Sequence, residues 1–205
     1  MSTAPVLPPR SGPRPRTTPW APHIQQDQNA PAAMQAALAQ RVFALPDVEE
    51  RAGTVAHPAE RAIWLRDDVP VASADAFLGN REVGHFHPWD GSLHIVLAPE
   101  PAEAAVAAGW AEVHPVALAG LAPTNRVMLY GPRDEAEVDV VFSLTAAAVR
   151  RAGGRDVPAS PGHGARRHHP DRVAAALVPG SRETGHRSHP PGPANRGSSA
   201  PTEER

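Results

Sequence analysis

Residues 82–97, EVGHFHPWDGSLHIVL, constrain the fold more than any other stretch of the chain. Two alternating runs flank an Asp90-Gly91 pair. Such a pair is a strong hairpin signal, because glycine supplies the left-handed backbone that tight turns need. Successive side chains on a strand point to opposite faces. His85 and His87 are therefore expected to share a face with Val83, while Phe86, Leu93, Ile95 and Leu97 take the other and supply the core. Two registers are open. A two-residue turn at Asp90-Gly91 sets His87 opposite His94, and a four-residue loop over residues 88–91 sets His85 opposite His94. In either register the three imidazoles project from one face, within reach of a common ligand. Alternation sends Glu82 to the opposite side unless a bulge intervenes.

The elements around this hairpin follow from local signals. A helix is expected over about 31–44, with Asn29 as cap, Pro31 in the first turn, a Met34–Leu38–Val42 stripe and Pro46 as the stop. RAIWLRDD, residues 61–68, reads as a strand, and VPVASADAFLGN leads into another extended piece. A short helix over 99–109 ends at Gly109. WAEVHPV and NRVMLYGP follow as strands. RDEAEVDVVFSLTAAAVRRAGG closes the core as a helix, with Asp134 and Glu137 at capping-box spacing, a Val138, Val141, Phe142 and Ala148 stripe, and Arg150 and Arg151 at the C-terminal dipole. This order predicts one α+β domain, a mostly antiparallel sheet packed by about three helices.

Composition sets the domain limits. Residues 1–31 and 153–205 hold eight prolines each and few large apolar side chains. Such segments bury too little surface to offset the entropy of ordering, so residues 1–30 and 153–205 are expected to be disordered tails around a core at 31–152. The core is acidic, with nine arginines against sixteen acids. That excludes duplex nucleic acid as its main ligand. The chain has no cysteine and no lysine, which removes thiolate catalysis, thiolate metal sites and Schiff-base chemistry. No run reaches the roughly 18 apolar residues of a membrane span, and no secretory signal opens the chain. A cytoplasmic protein that binds a small molecule, with neither nucleic acid nor membrane as partner, is the expectation.

Three imidazoles on one face admit three functions. As a metal site, His85, His87 and His94 would hold a divalent transition ion through neutral nitrogens. As acid–base groups, they would keep one imidazole neutral near pH 7. As a solvated face, they would merely be tolerated on the sheet, with no part in chemistry or binding. His114 stands at the end of another strand. Trp110 reads as core, and Arg133 stands at a helix start where an anion can bind. The histidines at 163, 168, 169, 186 and 189 lie in low-complexity sequence and are given no role.

NREVGHFHPWDGSLHIVLA, AAGWAEVHP and VMLYGPRDEAEVDVV, in that order and spacing, resemble the luciferase domain of the fungal bioluminescence system, over roughly residues 42–150. Uncharacterised bacterial proteins carry a similar domain, and an all-arginine basic composition fits a GC-rich bacterial genome. The resemblance implies oxidation of an enolic pyrone of the 3-hydroxyhispidin type by molecular oxygen as co-substrate, without an organic cofactor. It singles out Arg81, Glu82, His85, His87, His94, Gly109, Trp110, His114, Pro115, Tyr130, Pro132 and Arg133. Of these, His85, His87, His94 and His114 would be catalytic, and Arg81, Glu82, Trp110, Tyr130 and Arg133 would contact substrate. The loop 116–125 and the region before residue 60 match poorly, and this chain opens on a proline- and arginine-rich segment where the fungal proteins have a hydrophobic one. A His-ligated divalent metal enzyme and a non-catalytic binding domain remain the alternatives.

Overall fold

The computed structural model describes residues 7–54, 59–72 and 74–153. Ten elements follow in order: α1 (Ala32–Phe43), β1 (Val48–Arg51), β2 (Arg61–Leu65), β3 (Glu82–Phe86), β4 (Leu93–Val96), α2 (Pro99–Ala107), β5 (Ala111–Val113), α3 (Pro115–Leu118), β6 (Arg126–Leu129) and α4 (Glu135–Ala152). The strands form one antiparallel sheet in the order β1-β2-β3-β4-β6-β5. The α+β expectation holds, with α3 as an added turn of helix and a 3-10 turn at Ala74–Ala76 on the way into β3.

The hairpin takes the four-residue loop. His85 pairs with His94, Gly84 with Ile95 and Phe86 with Leu93. Gly91 turns the chain at φ +76°, and a Cβ there would lie 2.5 Å from the Ala30 methyl. Gly84 is needed for a different reason: a Cβ on it would stand 2.5 Å from the His94 carbonyl oxygen, so only glycine lets β3 lie this close to β4.

One row of partners crosses the whole sheet: Arg51, Ala62, His85, His94, Met128 and Glu112. The next rows hold the core. Ile63, Leu65, Leu93, Ile95, Val127 and Leu129 are fully buried in one cluster with Val138, Val141 and Val149 of α4 and Leu38 and Val42 of α1. Burial of such side chains contributes roughly 1.5–3 kcal/mol each. Between Glu82 and Gly84 the β2–β3 register shifts, since Ile63 faces Gly84 and Trp64 faces Glu82. Val83 is the extra residue of a bulge, and it joins the core instead of the histidine face. Past the bulge Glu82 returns to His85's side.

Helix α4 begins as expected, with the Asp134 carboxylate accepting the Glu137 N–H at 2.9 Å. Glu137 turns back to the Arg133 N–H at 2.9 Å, one residue earlier than a capping box would place it. Helix α1 starts at Pro31 without a side-chain cap, so Asn29 does not serve as one.

The largest departure from expectation is the proline-rich N-terminal segment. Residues 7–30 lie against the sheet. Arg10 is buried and pairs with Glu137 at 3.2 Å, while also donating to the Gly131 carbonyl at 3.3 Å. The Trp110 indole donates to the Pro8 carbonyl at 2.6 Å. The Gln25 N–H reaches Asp90 at 2.9 Å, and the Gln25 side-chain carbonyl accepts from the Gly131 N–H at 2.9 Å. Counting apolar side chains missed this, because the arm is held by polar side chains on backbone groups and its prolines leave less entropy to lose. The expectation of a disordered segment at 153–205 falls outside the described residues, apart from Gly153. No helix among the described residues is long and apolar enough to cross a membrane.

Replacing Arg10 by Ala is expected to lower the unfolding free energy by about 3 kcal/mol, the lower end of the cost of removing one partner of a buried ion pair, because Arg133 still serves Glu137. Equilibrium urea unfolding reads this. A change under about 0.5 kcal/mol, the usual size for an uninvolved surface position, would show that the arm adds nothing to the fold.

Candidate active site

Strands β3 and β4 bring His85 and His94 together, and the loop between them brings His87. His114 stands between β5 and α3, as the cap of the helix, and the arm adds His23. All five imidazoles are buried, at 2–8% exposure. Ring centroids lie 4.4 Å apart for His87 and His94 and 4.4 Å for His94 and His114, while His23 stacks on His94 at 5.3 Å.

Each outer nitrogen has a partner. His85 Nδ1 meets Glu82 Oε1 at 2.6 Å, and the other Glu82 oxygen accepts the Thr54 N–H at 2.6 Å. His87 Nδ1 meets Ser92 Oγ at 2.8 Å, whose hydroxyl donates to Asp90 at 2.7 Å. His23 Nε2 meets Glu112 Oε1 at 2.6 Å, and the Tyr130 hydroxyl donates to the second Glu112 oxygen at 3.0 Å. His114 Nδ1 accepts the Val116 N–H at 3.1 Å, capping α3. Inside the cluster, His85 Nε2 faces His94 Nδ1 at 3.1 Å, and His94 Nε2 faces His23 Nδ1 at 3.2 Å. Glu60 closes the margin, with its oxygens 3.7 Å from His85 Nε2 and 4.0 Å from His87 Nε2. Two triads have metal-ligand spacing, His85–His87–His94 and His23–His94–His114. A groove of about 250 Å³ between α1 and the hairpin loop, lined in part by Ala39, Phe86 and Pro88, reaches His87 from outside.

Among the other residues singled out from sequence, Glu82 and Tyr130 join this network. Arg81, Trp110 and Arg133 do not. The Arg81 guanidinium donates to the carbonyls of Leu65 at 3.0 Å and Val69 at 2.6 Å, and to that of Arg66, tying down the end of β2. Trp110 sits in the apolar cluster. Arg133 grips Glu137, the Ser11 carbonyl at 2.8 Å and the Gln28 side chain at 3.1 Å, so it fastens the arm and is not disposed to hold an anion. His23, Glu60, Ser92 and Glu112 of the network went unseen in the sequence, and Asp90 was read only as a turn residue. Glu112 had a signal, since it stands two residues before His114 on one strand. His23, isolated among prolines, had none.

Burial dominates the electrostatics. It holds the His87 and His114 imidazoles down to about 3, helped by the neighbouring histidines, and it pushes His94 well below its ordinary value. Burial alone would raise Glu82 and Glu112. Hydrogen bonds and charge together, from His85 and Thr54 on Glu82 and from His23, Thr17 and Tyr130 on Glu112, outweigh it and hold both carboxyls low. Burial, together with the charge of Glu112, keeps the Tyr130 hydroxyl protonated far above its usual range.

The folded imidazoles refuse protons that the unfolded chain accepts near pH 6.5, so their contribution to stability is complete above that pH and is lost as pH falls toward about 3. In the presence of a chelator, the unfolding free energy at pH 5 is expected to lie below that at pH 7.5 by on the order of 2 kcal/mol for each of His87 and His114. Urea titrations at the two pH values check this, and His114→Gln should flatten the difference. Equal stability at both would show the imidazoles open to protons.

Comparison with known proteins converges on the same strands. Residues 80–148 match the Luciferase domain family. A luciferase of Armillaria ostoyae is 34% identical over 162 residues, covering 71% of this chain and 60% of the fungal one. A luciferase of Armillaria mellea is 33% identical over 163 residues with the same coverage, and one of Neonothopanus nambi is 33% identical over 92 residues, 43% of this chain and 34% of that one. The chain thus spans about 60% of the length of its Armillaria relatives. No solved structure matches. Residues 80–148 thus carry a Luciferase domain similar to that of the fungal luciferases, and this matched region coincides with the hairpin and strands that carry His85, His87, His94 and His114.

Proposed function

We propose that this protein oxidises a small, enolisable, pyrone-like molecule with molecular oxygen at the histidine face, without an organic cofactor and with no nucleic acid or membrane as partner. The observation that supports this most is the overlap of the luciferase-family region with a buried set of imidazoles and carboxylates. The set offers a carboxylate at its margin, Glu60, to take the enol proton, while His87 and His114, held neutral by burial, offer hydrogen bonds.

The reaction balances without an external reductant. The enol O–H bond breaks, its electron pair stays on the substrate and the proton passes to the cluster. The enolate carbon forms a bond to dioxygen, which is reduced to the peroxide level as the carbon is oxidised. The proton then returns to the terminal oxygen, giving a hydroperoxide. His114 has a definite part: because its Nδ1 accepts the Val116 N–H, its neutral form carries the proton on Nε2, a donor for the enolate oxygen.

Oxygen consumption with a panel of 4-hydroxy- and 3,4-dihydroxy-2-pyrones tests the reading. The natural chain is expected to consume oxygen, with kcat falling about 10²-fold in His114→Ala, as for loss of one oxyanion donor. Quenching of tryptophan fluorescence by the pyrones, with no oxygen uptake, would make the protein a binding module and overturn the proposal.

A further inference from the structure

The hydrogen bonds around the cluster fix where its protons lie, and the count comes up one positive charge short. Neutral imidazole carries a single N–H. The Glu82 carboxylate takes that of His85 at Nδ1, and the Glu112 carboxylate takes that of His23 at Nε2. Ser92 Oγ spends its own proton on Asp90, so it accepts the His87 proton at Nδ1. Bare lone pairs are left on His85 Nε2, His87 Nε2 and His23 Nδ1. His94 lies between two of them, with one nitrogen 3.1 Å from His85 Nε2 and the other 3.2 Å from His23 Nδ1. Its single proton can serve only one side. On the other side two lone pairs face each other, a repulsive contact in a buried place unless a cation sits there.

We propose that His85 Nε2, His87 Nε2 and His94 Nδ1 bind one divalent transition-metal ion. With His94 donating its Nε2 proton to His23, every N–H of His23, His85, His87 and His94 has an acceptor, and the three residues left with a bare nitrogen form one triad of ligand spacing. Each ligand then carries an outer hydrogen bond of the kind that orients metal-bound imidazoles: Glu82 on His85, Ser92 and Asp90 on His87, and His23 and Glu112 on His94. The 3.1 Å between His85 Nε2 and His94 Nδ1 is close to the roughly 3.3 Å edge of a tetrahedron with 2.0 Å metal–nitrogen bonds. Glu60 stands beside this corner, 3.7 and 4.0 Å from two of the ligand atoms, and is the carboxylate suited to a fourth position or to a proton leaving a bound ligand.

The same count rejects the other triad. His114 keeps its proton on Nε2 because the Val116 N–H occupies Nδ1, so it has no lone pair to give. His23 becomes a positioning residue: it holds His94 in the tautomer that ligates, and it comes from the N-terminal arm, outside the family region at 80–148. An enol oxygen on such an ion loses its proton more readily than a free enol. That link rests on the oxidation proposed above, whereas the ion site stands on the proton count alone.

The test is metal content of the full, untagged chain after incubation with excess Zn²⁺ or Co²⁺ and gel filtration, read by elemental analysis without any substrate. The natural chain is expected to retain one equivalent more than His87→Gln, to show visible Co²⁺ bands that His87→Gln lacks, and to keep its ion in His114→Gln. His23→Gln should weaken binding about 10–100-fold, the usual cost of losing an outer partner. Histidines near the C-terminus are common to all these chains and cancel. Circular dichroism checks folding. If His87→Gln does not fold, Ser92→Ala, which removes only the acceptor of the His87 proton, should weaken Zn²⁺ binding in the same range. Equal metal in the natural chain and His87→Gln would overturn the proposal, leaving a shared proton to close the chain. Loss of the ion from His114→Gln but not from His87→Gln would move the site to the other triad.

Discussion

A line of close polar contacts, Glu82 to His85 to His94 to His23 to Glu112 to Tyr130, runs across the middle of the sheet. Burying this many polar groups is costly unless each finds a partner, so the elements that supply the partners are fixed together. The bulge at Val83 is one such consequence. Without it Glu82 would fall among the aliphatic side chains under α4, and His85 would lose the carboxylate that orients it. The docked arm is another, because without His23 the ring of His94 would be left with one nitrogen unpaired.

The arm is secured by a second charged knot away from the site. Glu137, in the first turn of α4, receives Arg10 from the arm and Arg133 from the preceding loop, and Arg133 in turn holds the Ser11 carbonyl. The helix start that invited an anion-binding reading is therefore occupied by the protein's own carboxylate. Both ends of the arm are thus tied to elements that also bound the histidine face: α4 through Glu137, and the hairpin loop through the contact of Gln25 with Asp90.

Much of this was legible in the sequence. Alternation around Asp90-Gly91 placed His85, His87 and His94 on one face whichever register held, and the same rule exposed the dependence of Glu82 on a bulge. The capping residue Asp134 and the stripe of α4 were equally plain, although Phe142 is only partly buried, beneath the Arg41 guanidinium at 4.2 Å. The arm was not legible. Its order comes from single long-range contacts of Arg10, His23 and Gln25 to groups about 65–130 residues away, and no local periodicity records such contacts. Composition could count only the apolar side chains that the arm lacks. Arg81, Trp110 and Arg133 carry the family pattern yet serve the frame, since a motif marks that a residue is needed without saying for what.

His23 leaves the ribosome long before the strands it must join. The hairpin follows some sixty residues later, and Glu112 and Tyr130 later still, so the arm has nothing to bind until nearly the whole sheet is made. Contacts this distant in sequence form late, after the local hairpin and helices have paid their own closure entropy. The cluster is then the last part of the molecule to close. A chain with a misregistered hairpin would present no matching row of imidazoles, and its arm would stay undocked. Completion of the site and completion of the fold are one event, and the histidine face is assembled only on a correctly built sheet.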